Sequence, residues 1–206
     1  MTDYFALLNE PRRPALEVEA LKERFLKLSS SVHPDRFHHA SAAERQAATE
    51  RYAELNAAFQ CLSEPKERLL HLYELETGQR PKDIQRIPPG TMDLFVEVGQ
   101  LCRDVDAFLA ERAKAESPMV KVQLFARGLE WVDKLQQVQA HVNAKREELL
   151  AELEGLNAVW EKAPPPGDPG RVAALPLERL EQIYRVLSYI QRWSGQLQER
   201  LVQLSL

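Results

Sequence analysis

Val32-His33-Pro34-Asp35-Arg36 separates two stretches that share one apolar period. Before it, Val18, Leu21, Phe25, Leu28 and Val32 recur in steps of three and four, which puts them on one buried face of a helix. After it, Tyr52, Leu55, Phe59 and Leu62 do the same. Pro34 biases the preceding His33 away from helical backbone angles, so the first helix should stop at Val32. The pattern predicts a helical hairpin with a His and an Asp on a polar loop over residues 33–41. Residues at such a tip carry no packing duty and are available to a partner.

The 206 residues suffice for one large or two small domains with a real core. Few glycines and abundant Ala, Leu, Glu, Gln and Arg favour helix, and no strand-like alternation or internal repeat interrupts them. An all-α chain is therefore expected. The net charge of −4 argues against a nucleic-acid binder. No apolar run is long enough to cross a bilayer, and Met1-Thr2-Asp3-Tyr4-Phe5 does not resemble a secretory signal. Cys61 and Cys102 form no CxxC and read as buried free thiols of a reducing cytoplasm.

Along the chain, Tyr4, Phe5, Leu7 and Leu8 make a short amphipathic opening, stopped by Pro11 and Pro14. The first hairpin helix is expected from about Pro14 or Leu16 to Val32. Ser41-Ala42-Ala43-Glu44 fits a capping box that starts the second, which reaches about Leu62. Ser63 or Glu64 lies near the next cap, Pro65 suits a first helical turn, and Gly78 follows Thr77 as a stop. Gly78, Pro81, Pro88, Pro89 and Gly90 mark a linker over 78–90. Three longer helices are predicted beyond it, at about 91–116, 119–162 and 177–204. Ser117-Pro118 and the proline-rich loop 163–170 separate them. Leu180, Ile183, Leu187, Ile190, Leu197, Leu201 and Leu204 form a bundle or coiled-coil seam on the last, interrupted by Ser194. The domains expected are 1–77 and an antiparallel three-helix bundle over 91–206.

The His-Pro-Asp tip offers no catalytic arrangement, since it brings neither an orienting partner nor an enclosed pocket. His38 and His39 have no further ligands at metal-binding spacing and read as solvated loop residues. Trp131, Trp160 and Trp193 read as bundle core or interface. No catalytic residue, metal set or cofactor motif is expected, so the chain does not read as an enzyme.

Residues 3–77 resemble a J-domain, the module by which co-chaperones stimulate the ATPase of DnaK-type chaperones. The resemblance rests on Asp3-Tyr4-Phe5 with Leu7-Leu8, on Leu21-Lys22-Glu23-Arg24-Phe25-Leu26-Lys27-Leu28, on His33-Pro34-Asp35-Arg36-Phe37, and on Leu55-Asn56-Ala57-Ala58-Phe59-Gln60-Cys61-Leu62-Ser63-Glu64-Pro65 with Arg68 beyond. It implies chaperone binding through His33, Pro34, Asp35 and Arg36, and through Lys22, Arg24 and Lys27 on the preceding helix. The bland reading of those three cations is a solvated face with pairs such as Glu23–Lys27.

No Gly/Phe-rich linker and no array of CxxC motifs follows residue 78. A J-domain followed directly by a helical bundle is similar to the HscB family, dedicated co-chaperones of iron–sulfur cluster assembly, of bacterial type. Residues 94–105 and 180–201 carry this second resemblance. It implies an HscA-like chaperone partner and an IscU-type scaffold held by Phe95, Val96, Glu97, Gly99 and Gln100. Gly99 stands where the family carries a leucine, and Cys102-Arg103-Asp104 replaces a richer acidic cluster. Two alternatives stay open: a J-domain protein with another client, and a helical interaction protein that oligomerises through its Leu180–Leu204 seam.

Overall fold

The computed structural model describes residues 1–37, 39–81, 87–88 and 90–205; His38, residues 82–86 and 89 of the predicted linker, and Leu206 lie outside them. The fold is all-α. Its elements are α1 (Tyr4–Leu7), α2 (Val18–Val32), a 3-10 turn (Pro34–Phe37), α3 (Ala42–Ser63), α4 (Pro65–Thr77), α5 (Met92–Ala113), α6 (Pro118–Lys162), α7 (Arg171–Ala174) and α8 (Leu177–Ser205). In the N-terminal part α2 and α3 form a helical hairpin, and α5, α6 and α8 run alternately up and down, as the pairs Glu111–Arg127, Glu97–His141 and Gln139–Ser194 show.

Local signals act where they were expected. Ser41 Oγ accepts the Glu44 amide at 3.3 Å while the Glu44 carboxylate accepts the Ser41 amide at 2.9 Å, closing the capping box. The Ser41 hydroxyl also donates to the Glu44 carboxylate at 2.7 Å, and this bond, followed by that from the Ser41 amide, holds the Glu44 carboxyl below its ordinary range. Gly78 takes the left-handed conformation (φ 72°) that ends α4, which a side chain would strain. One expectation needs correction. α2 starts at Val18 rather than near Pro14 or Leu16; Val18 is exposed, and Ser29, outside the apolar stripe, is buried. The polar loop contains a 3-10 turn. Residues 163–170 carry no helix, as expected, but lead into the short α7, which the sequence reading did not include and whose Arg171 is buried.

Tertiary contacts group Met1–Asp83 with Leu150–Tyr184, and Ile84–Leu149 with Arg185–Leu206. In the first group, Phe5, Leu8, Leu21, Leu55, Leu62, Leu69 and Leu72 are fully buried, and Phe25 stacks on Phe59 at 4.6 Å to close the α2–α3 hairpin. Arg68, itself buried, donates to the carbonyls of Pro14 (2.8 Å) and Leu62. Desolvation pushes its guanidinium down to about 10. The later segment is bound to these helices by polar contacts: Asn157 exchanges two 3.0 Å hydrogen bonds with the backbone of Ala15. Arg171 forms a bidentate pair with Glu76 at 2.7 and 2.8 Å.

His71 is buried, stacks on Tyr4 at 4.5 Å, and accepts the Tyr4 amide on Nε2 at 3.1 Å. Desolvation pushes its imidazole below the ordinary value of about 6.5; Asp3 and Glu74 pull it up, and Arg12 adds to the depression. The unfolded chain therefore binds this proton more readily than the native one. Stability from this site is complete above about pH 6.5 and is lost as pH falls below it toward the depressed native value. Chemical denaturation at several pH values should show this fall, and His71→Phe should flatten it.

In the second group, Val98, Leu101, Cys102, Val105 and Phe108 of α5, Leu135, Val138 and Val142 of α6, and Val186, Leu187, Ile190, Trp193 and Leu197 of α8 are all buried. Gln139 donates to Ser194 Oγ at 3.1 Å, satisfying the polar break in the α8 seam. Leu180, Ile183, Leu187, Ile190, Leu197 and Leu204 are all buried within the chain. Leu201 of the same seam is half-buried. Trp160 and Trp193 are core residues and Trp131 is half-buried. Both cysteines are free, and burial pushes the Cys61 thiol up to about 11, which disfavours a reactive thiolate.

Candidate functional site

The tip is built by the break between α2 and α3. His33 is extended (φ −60°, ψ 130°), as a residue before proline should be. Pro34 then opens the 3-10 turn, a position where its missing N–H leaves no helical bond unmade. The Asp35 amide donates to His33 Nδ1 at 3.3 Å, so in the neutral ring Nε2 carries the proton and remains a donor. Asp35 Oδ2 lies 3.6 Å from Nδ1, and its side chain is 91% exposed. Arg36 donates from its backbone to the His33 carbonyl (3.0 Å) and from Nη1 to the Ser30 carbonyl (3.3 Å), fastening the turn to the end of α2. What results is a braced knob presenting an imidazole N–H and a carboxylate side by side.

One contributor escaped the sequence reading. Tyr52 counted only as an apolar position of α3, yet its ring meets the His33 imidazole edge-on at 5.1 Å. Helical period shows which face Tyr52 occupies but not that this face reaches the tip.

The three cations of α2 divide. Lys22 is exposed, with Nζ 3.8 Å from Glu19. Lys27 is exposed and makes no ion pair among the described residues, so the Glu23–Lys27 pair is not formed. Arg24 is engaged inside the domain: it donates to the Asn9 carbonyl and lies 3.2 Å from the buried Glu10 carboxylate.

On α5, about 100° per residue aligns Met92, Val96, Gly99 and Arg103 along one outward ridge, flanked by Phe95 and Gln100. Met92, Phe95 and Val96 are 53%, 41% and 56% exposed. Glu97 sits off this ridge, with its carboxylate 3.1 and 3.3 Å from His141 Nδ1 on α6. Nothing in the local pattern singles out His141, 44 positions away. Gln100 donates to Asp104 at 2.8 Å and accepts from Arg103 Nη2 at 2.7 Å. Among the described residues no three His, Cys, Asp or Glu side chains could hold a metal ion, and no helix is long and apolar enough to cross a membrane.

Residues 3–71 match the DnaJ domain family. The co-chaperone protein HscB homolog of Bordetella pertussis is 33% identical over 130 residues, which span 59% of this chain and 74% of that protein. The homolog of Bordetella avium is 40% identical over 72 residues, or 35% of this chain and 43% of that protein, less than two thirds of its length. The fold is similar to chaperone HscB from Vibrio cholerae, with a TM-score of 0.64 and 22% identity over 98% of this chain and 99% of that one. It is also similar to human co-chaperone protein HscB, with a TM-score of 0.62 and 19% identity over 96% of this chain and 81% of that one. At such identities the two structures speak for the fold alone.

Proposed function

The chain belongs to the HscB co-chaperone family, and on that premise we propose that it stimulates the ATPase of a DnaK-type, HscA-like chaperone and delivers to it an IscU-type scaffold protein of iron–sulfur cluster assembly. Residues 1–77 act as the J-domain, 78–90 as a linker and 91–206 as the scaffold-binding bundle. The observation that carries the reading is the exposed, braced His33-Pro34-Asp35 tip on a helical hairpin that matches the DnaJ domain family. Asp35 supplies an anionic acceptor and His33 a donor to the ATPase domain. Arg36 orients the turn, and the ammonium groups of Lys22 and Lys27 meet acidic groups of the chaperone. Arg24 acts from its pair with Glu10.

The ridge of α5 receives the scaffold through Phe95 and Val96, with Glu97, Gly99 and Gln100 at its border. The chain holds neither nucleotide nor cluster, performs no bond chemistry of its own, needs no membrane or nucleic acid, and works in the cytoplasm. Steady-state ATP hydrolysis by a DnaK-type chaperone should rise when the chain is added, and rise further with the scaffold present. A rate unchanged by the chain would overturn the co-chaperone reading. A second reading, another client on the same ridge, is favoured by Gly99 and Arg103, which leave the ridge without an acidic cluster. Stimulation without scaffold binding would select it.

A further inference from the structure

The ridge of α5 is apolar at one end and cationic at the other. A Cβ at Gly99 would stand 3.6 Å from Arg103 Nη1, so the guanidinium lies back over the glycine rather than over a side chain. One of its N–H groups donates to Gln100 Oε1, a neutral acceptor. The carboxylates that could neutralise it are engaged elsewhere: Asp106, one turn on, pairs with Arg200 at 2.6 Å, and Asp104 accepts from Gln100. Glu97 faces His141. Arg103 is exposed and makes no ion pair among the described residues. A guanidinium keeps five donors in a planar fork suited to a carboxylate, and most of them stay unused here.

We infer that Arg103 is a specificity-determining residue of the partner-binding face, and that the partner seated on Met92, Phe95 and Val96 presents a carboxylate to it. This rests on the reading that the α5 ridge binds the scaffold. Val96 and Arg103 are seven positions apart, so the partner must carry an apolar side chain and an Asp or Glu separated by on the order of 10 Å. Such a partner matches the ridge in both polarity and sign. A partner with a basic rim does not, because its cation would oppose an unneutralised guanidinium.

The test is titration of the full-length chain with an IscU-type scaffold protein, at roughly 50 mM and roughly 500 mM salt. Arg103→Gln should weaken binding about ten-fold at low salt and remove most of the salt dependence, as expected for a lost charge-assisted pair. Arg103→Lys should recover only part of the affinity, since it lacks the fork. Val96→Asp should abolish binding, and unchanged helicity would show that each variant is folded. If wild-type protein binds and Val96→Asp does not, yet Arg103→Gln equals wild type, the inference fails while the scaffold reading stands. Tighter binding by Arg103→Glu would also overturn it, because the facing group would then be a cation. Absence of wild-type binding would overturn the scaffold reading and this inference together.

Discussion

Asp35→Asn is expected to abolish stimulation of the chaperone ATPase while leaving the fold unchanged. Asparagine keeps the shape of the side chain and one acceptor oxygen but removes the charge. In the free protein the carboxylate is 91% exposed, so its replacement should alter stability by no more than about 0.5 kcal/mol. In the proposed complex the same carboxylate would be desolvated against a cationic or N–H-rich surface, where loss of one partner of a hydrogen-bonded charge pair costs about 2–5 kcal/mol. The lower figure already corresponds to a roughly 30-fold loss of affinity. Stimulation measured at a fixed co-chaperone concentration should drop to the unassisted rate, with the thermal melt superimposed on wild type. Full stimulation by the variant would exclude Asp35 as the contact that triggers hydrolysis. Tyr52→Ala should act in the same direction but less strongly, because it loosens His33 without removing a contact group.

Arg171→Met should destabilise the protein by about 3–5 kcal/mol, seen as a lower denaturant midpoint. Arg171 and Glu76 are 6% and 2% exposed at their side chains, and the guanidinium also donates to the Pro164 carbonyl at 2.6 Å. Removing the cation strands a buried carboxylate whose next cation, Arg12 Nη1, is 4.0 Å away. The hydrogen bond raises the Arg171 guanidinium above its ordinary value, consistent with a cation held by its partner. Glu76→Leu combined with Arg171→Met should restore most of the loss, since two apolar groups need no partner. A double variant as unstable as the single one would mean that the guanidinium acts by packing rather than by charge. The pair joins the end of α4 to α7, so its loss should also free the second half of α6 from the backbone of Ala15. Hydrogen exchange at Asn157 and its neighbours would report this release.

Most of the helical framework was legible because its causes are local. A period of three and four residues marks the inward face of a helix, as the fully buried Leu21, Leu55 and Leu62 illustrate. Ser41 with Glu44, Pro65 and Gly78 determine helix ends through backbone groups within four residues of themselves. The bend at His33-Pro34 follows from steric exclusion between adjacent residues, and so does the display of Asp35. Val18 shows where this reasoning stops: it keeps the period but is 44% exposed, at the first position of its helix.

The sequence by itself determined the longer helices, most of their ends, the hairpin and the chemistry offered at its tip. Only the tertiary structure decided which polar side chains meet. Glu76 and Arg171 lie 95 positions apart, Ala15 and Asn157 lie 142 apart, and Glu97 and His141 lie 44 apart. Tertiary structure likewise decided that most of the α8 seam is buried within the chain and that Arg103 closes over Gly99. The physical reason is that a period states which face of a helix avoids water, whereas an ion pair depends on which other face arrives opposite it. That arrival is set by the packing of whole helices, whose energy is spread over many apolar contacts and written in no single motif.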